Sequence, residues 1–167
     1  MNTIGLRIRT YGDPCLRKKS KPVTEVGPSE RFLINAMIDT MHAYKGIGLA
    51  APQVGINEQI FVVDTGDGAF AVINPHIVKK LGSDVMEEGC LSIPEVLVKV
   101  KRAESIVVEY MDENNRKVER KCFGLLAKVI QHETDHLNGK LIIDYASLAE
   151  KLKFKKTIHQ LEKSHKA

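Results

Sequence analysis

Leu125-Leu126-Ala127-Lys128-Val129-Ile130-Gln131-His132-Glu133-Thr134-Asp135-His136 reads as a helix with a metal-binding end. Histidines four apart lie one above the other on a helix, so both imidazoles can reach one ion. At about 100° per residue, His136 sits about 40° round from His132, and Thr134 points the opposite way. Glu133 and Asp135 flank the histidine face about equally, each roughly 80° from its midline, so geometry leaves both carboxylates open. Leu125 falls on that midline with Lys128 and Val129 beside it. An apolar stripe ending in two histidines describes a helix buried beside a pocket, not two surface histidines on a wet helix.

The elements around it follow from periodicity. The helix is expected to begin near Phe123 and to close at Asn138-Gly139. An earlier helix is expected from about Ser29 to Ala43, with Phe32, Leu33, Ala36, Met37, Thr40 and Met41 at helical spacing. Ile60-Phe61-Val62-Val63 and Ala69-Phe70-Ala71-Val72-Ile73 read as short strands, closed by Asp64 and by Asn74-Pro75. Ser105–Tyr110 and Lys117–Cys122 read as a hairpin turned at Glu113-Asn114-Asn115. Leu148, Leu152, Ile158 and Leu161 give a third, amphipathic helix. The expected class is α+β, with small antiparallel or mixed sheets around the central histidine-bearing helix and a C-terminal helix. No linker or repeat divides the 167 residues, so 1–167 reads as one domain with 146–167 as its basic C-terminal helix.

Composition narrows the setting. Hydrophobic residues at 43% and charged ones at 28% describe an ordinary globular chain. No run approaches a membrane span, and Met1–Ile4 leads into patterned sequence without signal or transit character. Cys15, Cys90 and Cys122 are scattered and odd in number, which points to reduced thiols in a cytoplasm. The net charge of +4 gathers at the end, on Lys151, Lys153, Lys155, Lys156, Lys163 and Lys166. Such a tail is usually a solvated helix, and sometimes a docking surface for nucleic acid.

A catalytic centre of the zinc type needs a third protein ligand and an open position. His159, Glu150 and Glu162, downstream, all sit in the polar tail. Upstream stands Glu87-Glu88-Gly89-Cys90-Leu91-Ser92-Ile93-Pro94. Cys90, in a turn flanked by acids, would complete a Cys-His-His set. The segment Gly46-Ile47-Gly48-Leu49-Ala50-Ala51-Pro52-Gln53 imitates a dinucleotide fingerprint, but the strand and helix around it come in the wrong order. It is instead backbone left bare for the close approach of another chain or a ligand, with the neutral Gln53 amide able to donate to an oxygen.

Three of these segments, Gly46–Gln53, Glu88–Ser92 and His132–His136, together resemble the peptide deformylase family, whose members remove the N-formyl group from nascent bacterial proteins. The resemblance extends from about Ile8 to Ile143 and takes in Asn74-Pro75, Arg102-Ala103 and Gly124-Leu125-Leu126. It implies Cys90, His132 and His136 as ligands of one divalent ion, usually Fe2+, with Zn2+, Ni2+ or Co2+ also suited to these donors. It implies Glu133 as the catalytic carboxylate, and the Gln53 amide with the Leu91 N–H as donors to the carbonyl oxygen. It further implies that a formyl-methionyl nascent peptide lies as an added strand between Gly46-Ile47-Gly48 and Gly89. Ile47, Met86, Leu125 and Val129 would line its methionine pocket, with Glu88 at the rim. Lys128 departs from the aliphatic residue usual there; its stem is expected to line the pocket with the ammonium turned to water. A monomer, and ribosome docking through the C-terminal helix, are further expectations. The rival readings are an HExxH endopeptidase, a non-catalytic zinc module, and a cysteine hydrolase using Cys90 with His132.

Overall fold

A computed structural model describes residues 5–166. Strands β1 (Gly48–Ala50), β2 (Ile60–Val63), β3 (Phe70–Leu81), β6 (Ser105–Met111) and β7 (Lys117–Phe123) form an antiparallel five-stranded sheet in the order β1-β2-β3-β6-β7. Strands β4 (Asp84–Cys90) and β5 (Ile93–Arg102) pair separately as a two-stranded sheet. Helix α1 (Pro28–Ala43) covers one face of β1 and β2. Helix α2 (Gly124–Leu137) packs on the other face, and α3 (Leu148–Lys166) lies against β5. The α+β class with a central histidine-bearing helix holds.

Strand β2 explains the layering. All four of its residues are buried, as expected of a strand covered on both faces. Phe61 and Val63 pack with Ala127, Val129 and Ile130 of α2. Ile60 and Val62 alternate to the opposite face and pack with Ile34, Met37 and Met41 of α1. Helix α2 is thereby fixed against the sheet with its histidine end close to β1.

The first helix begins one residue earlier than expected. Pro28 occupies its first turn, and the Glu30 carboxylate accepts from the Gly27 N–H at 2.8 Å. Helix α2 ends at Leu137 with Asn138 as its cap, and Gly139 follows in the left-handed region at φ 71°. The 105–123 hairpin turns as expected: the Asp112 carboxylate accepts from the N–H groups of Asn114 and Arg116, and Asn115 takes φ 61°.

Three expectations need correction. Strand β3 does not stop at Asn74-Pro75 but runs on to Leu81. The break is absorbed as a shift in its pairing with β6 between Ile73 and His76, where Pro75 needs no ladder donor. Asn74, at φ 52°, exchanges two hydrogen bonds with the Val23 backbone and anchors the kink. The turn at Gly89–Ser92 proves to be the corner of the β4–β5 hairpin, whose strands the sequence reading passed over. Helix α3 is amphipathic only in its second half. Phe154, Ile158 and Leu161 pack on a core of Leu16, Val98 and Ile142, whereas Leu148 and Leu152 stay 76% and 63% exposed. Its first turns overhang the body, held where Glu150 accepts from the Lys99 N–H at 3.1 Å. Among the described residues, no helix is long and apolar enough to cross a membrane.

Candidate metal centre

Cys90 ends β4, and a register shift between Glu88 and Cys90 turns its thiol toward α2. There it meets the two histidines: Cys90 Sγ lies 3.4 Å from His136 Nε2, which lies 3.2 Å from His132 Nε2. One donor atom from each residue falls within 4.8 Å of the others. With metal–nitrogen bonds of about 2.05 Å and a metal–sulfur bond of about 2.3 Å, a tetrahedral ion requires N···N near 3.3 Å and S···N near 3.6 Å. Both separations found here match those an ion demands, and the Cys90 and His132 donors lie within 4.8 Å of each other. The residues fit a metal.

The surroundings hold them there. His132 Nδ1 pairs with Glu88 Oε2 at 2.9 Å, which leaves Nε2 pointing into the centre. Glu88 is only 6% exposed, and Arg102 donates to it from Nε at 2.5 Å and from Nη2 at 2.9 Å. Arg102 also donates from Nη1 to Asp135 Oδ2 at 3.0 Å, and Tyr145 donates its hydroxyl to the same oxygen at 2.6 Å. Burial works against a charged His132, yet hydrogen bonds with Cys90 and Glu88 and the charge of Glu133 raise its pKa well above the ordinary histidine value. The environment favours positive charge where the donors converge. Burial, then the charge of His132, lowers His136.

Glu133 and Asp135, equivalent by helical arithmetic, part company here. Asp135 is committed to Arg102 and Tyr145. Glu133 is 3% exposed, its Oε1 lies 4.0 Å from His132 Nε2, and its Oε2 has no hydrogen-bond partner. Burial pushes its carboxyl up to about 7, a value suited to passing protons near neutrality. Gly48 permits this placement, because its bare Cα lies against the Glu133 side chain.

Gln53 sits in the 3-10 turn Ala51–Val54 and is 2% exposed. Its Oε1 accepts from the Ala50 N–H at 2.9 Å, which fixes the amide. Its Nε2 then donates to Ser92 Oγ at 3.1 Å and approaches Cys90 Sγ at 3.5 Å. A cleft of about 850 Å³ opens over these groups, bordered by Gly46, Ile47, Gly48, Gly89 and Leu91, and on its side wall by Met86, Lys128 and Val129.

The structure revises three of the pocket assignments. Leu125 is 44% exposed and does not border the cleft. Seven residues before His132 on a helix, it stands about 10 Å along the axis, beyond the pocket mouth. Glu88 does border the cleft, but it is buried there with its carboxylate turned toward Arg102 and His132. The Lys128 ammonium does not run out to water: the residue is 8% exposed, and Nζ donates to Asp84 Oδ2 at 2.6 Å. Arg102 escaped the sequence reading as a site residue, although it is in phase with the inward-facing Val98 and Val100 of β5. Ile8, Thr10, Tyr44, Pro94 and Glu95 also border the cleft, and no sequence signal marks them.

Comparison with known proteins decides the family. The family model described as polypeptide deformylase matches residues 6–152. The chain belongs to the peptide deformylase family. It is 47% identical over 161 residues to the peptide deformylase of Thermotoga maritima, a match covering 96% of this chain and 98% of that one. The crystal structure of a Legionella pneumophila peptide deformylase superposes with a TM-score of 0.89 at 36% identity, covering 96% of this chain and 97% of that one. That of the Thermus thermophilus enzyme superposes with a TM-score of 0.90 at 37% identity, covering 94% and 97%. Peptide deformylases are metal-dependent hydrolases that remove the formyl group from the N-terminus of nascent peptides, and the endopeptidase reading gives way to that activity.

Proposed function

We propose that this deformylase holds one divalent ion on Cys90, His132 and His136, with Glu133 as the proton-transferring carboxylate. The supporting observation is the convergence of three donor atoms at metal-ligand separations beside a buried Glu133 oxygen that has no partner. The whole chain acts as one catalytic unit, with residues 146–167 as an appended basic helix.

The substrate peptide enters as an added strand, hydrogen-bonding to the exposed backbone of Gly46-Ile47-Gly48 and Gly89. Backbone bonding makes recognition tolerant of sequence beyond the first residue. The first side chain enters the pocket walled by Ile47, Met86 and Val129. The bound ion supplies Lewis acidity, making water nucleophilic near neutral pH. Glu133 takes a proton from the attacking water and delivers it to the leaving α-amine, so formate and a free N-terminus result. The Gln53 amide and the Leu91 N–H donate to the formyl oxygen as it gains charge. Gln53 suits this task because the Ala50 N–H holds its Oε1, which directs Nε2 to the Cys90 side of the site.

The ion assigned is Fe2+; a thiolate with two imidazoles also accommodates Zn2+, Ni2+ or Co2+. Metal analysis of anaerobically purified protein, with formate release followed in parallel, tests this. Iron content tracking activity is the expected outcome, and activity tracking zinc alone refutes the choice. The enzyme works in the cytoplasm as a monomer. Helix α3 docks it to the ribosome through Lys151, Lys155 and Lys156, all exposed. Charge reversal at these three lysines tests docking better than truncation, which would uncover the core under Phe154 and Ile158. The variant should lose co-sedimentation with ribosomes, and retained binding counts against docking.

A further inference from the structure

Strand β4 and helix α2 face each other as a ladder. Asp84, Met86 and Glu88 alternate onto one side of β4. Lys128 and His132, one helical turn apart, oppose the two ends of that row. At the inner end Glu88 holds His132, at 2.9 Å; at the outer end Asp84 holds Lys128, at 2.6 Å. Met86 lies between, on the wall of the cleft. Lys128 thus borders the cleft at the outer end of this row, one helical turn from His132.

The Lys128 ammonium is incompletely satisfied. A lysine carries three donors, and among the described residues Asp84 is its sole hydrogen-bond partner. The Lys128 side chain is 10% exposed and that of Asp84 55%. A methionine thioether, a weak acceptor, offers the remaining donors little. A side chain of similar length carrying an oxygen acceptor near its end would offer a charge-assisted hydrogen bond.

We propose that Lys128, held by Asp84, is a specificity-determining residue that lets this enzyme act on formyl peptides whose first side chain is methionine-like and carries an oxygen acceptor near its end, with methionine sulfoxide as the representative substrate. The inference rests on the deformylase reading of the cleft. It concerns only which first residues are accepted, and the reacting atoms are unchanged.

The test compares kcat/KM for formyl-Met-Ala-Ser and formyl-Met(sulfoxide)-Ala-Ser using the metal-loaded full chain. Affinities of the two deformylated products, measured as competitive inhibitors, give a readout separate from turnover. The wild type should prefer methionine by no more than about tenfold, because the lost apolar contact is offset at the ammonium. Lys128→Met keeps length but removes the donors, and should widen the preference by about tenfold or more, mostly through KM, with the product affinities moving in parallel. Lys128→Arg should keep the narrow preference, which separates loss of the donor from damage to the wall. A preference that is equal within about threefold in wild type and Lys128→Met overturns the inference while leaving the deformylase reading intact. Failure on both formyl peptides by a folded, metal-loaded wild type would overturn the deformylase reading instead, and this inference with it.

Discussion

Gly48→Ala should separate the fold of this protein from its chemistry. Gly48 is paired with Val63 in β1, and alanine adopts such extended backbone readily. The added Cβ would collide with Glu133 Oε1 and lie 2.9 Å from its Cδ and 3.0 Å from its Cγ. Relieving those contacts requires the carboxyl end of Glu133 to retreat by about 0.6–1 Å, toward the ordinary carbon–carbon separation of about 3.5–4 Å. The side chain can do so by leaving its rotamer, at about 0.5–1.5 kcal/mol, so the protein should still fold. Catalysis should suffer more, since a misplacement of about 1 Å can lower the rate about a hundredfold. The assay is formate release with kcat and KM resolved, alongside a melting curve and metal content. The expected result is a large fall in kcat, metal retained at one ion per chain, and a small decrease in Tm. A kcat within about threefold of wild type would show that the position of Glu133 does not limit the reaction, and would refute the reasoning. A loss confined to KM would instead assign Gly48 to peptide binding alone.

Other perturbations probe the supporting shell and the fold. Glu88→Gln weakens the partner of His132 Nδ1 and should lower metal affinity roughly tenfold or more in a chelator competition; unchanged affinity would mean Glu88 serves only Arg102. Asp144 accepts from Arg17 Nη1 at 2.7 Å, from Nη2 at 3.0 Å and from the Leu141 N–H at 2.9 Å. Burial alone would raise its pKa, but Arg17 and the Leu141 amide bring it below the usual carboxylate value of 3.8. A depressed carboxyl contributes stability that is present above the unfolded pKa and lost as pH falls through the folded one. Asp144→Asn should therefore cost stability at pH 7 and flatten the decline below about pH 4, read from urea midpoints against pH; parallel curves for the two proteins would contradict this.

The sequence carried much of this architecture because several of its signals are local. The 3.6-residue pattern of α1 and α2, the apolar run of β2 and the Asn-Gly stop after α2 each depend on neighbours a few residues away. The 93–102 strand is equally local in its signal, since Val96, Val98 and Val100 alternate with Leu97 and Lys99. What stayed hidden depended on distant partners. Asn74-Pro75 looked like a strand end because the hydrogen bonds that carry the kink come from Val23, far away in the chain. Helical spacing placed Leu125 beside the pocket but could not say where along the axis the pocket ends. Glu88 and Lys128 were recognised as wall residues, yet their charges are directed by Arg102 and Asp84, on other parts of the fold. The choice between Glu133 and Asp135 is of the same kind: helix phase treats them alike, and only Arg102 and Tyr145 mark Asp135 as structural.

The central claim is that Glu133 performs the proton transfer at a centre it does not help to assemble. Formate release from a formyl-methionyl peptide, measured on Glu133→Ala with its metal content determined in the same sample, tests that most directly. The account predicts metal retained at one ion per chain and a rate lowered at least about a hundredfold. A fully metal-loaded Glu133→Ala protein that releases formate at the wild-type rate would contradict it.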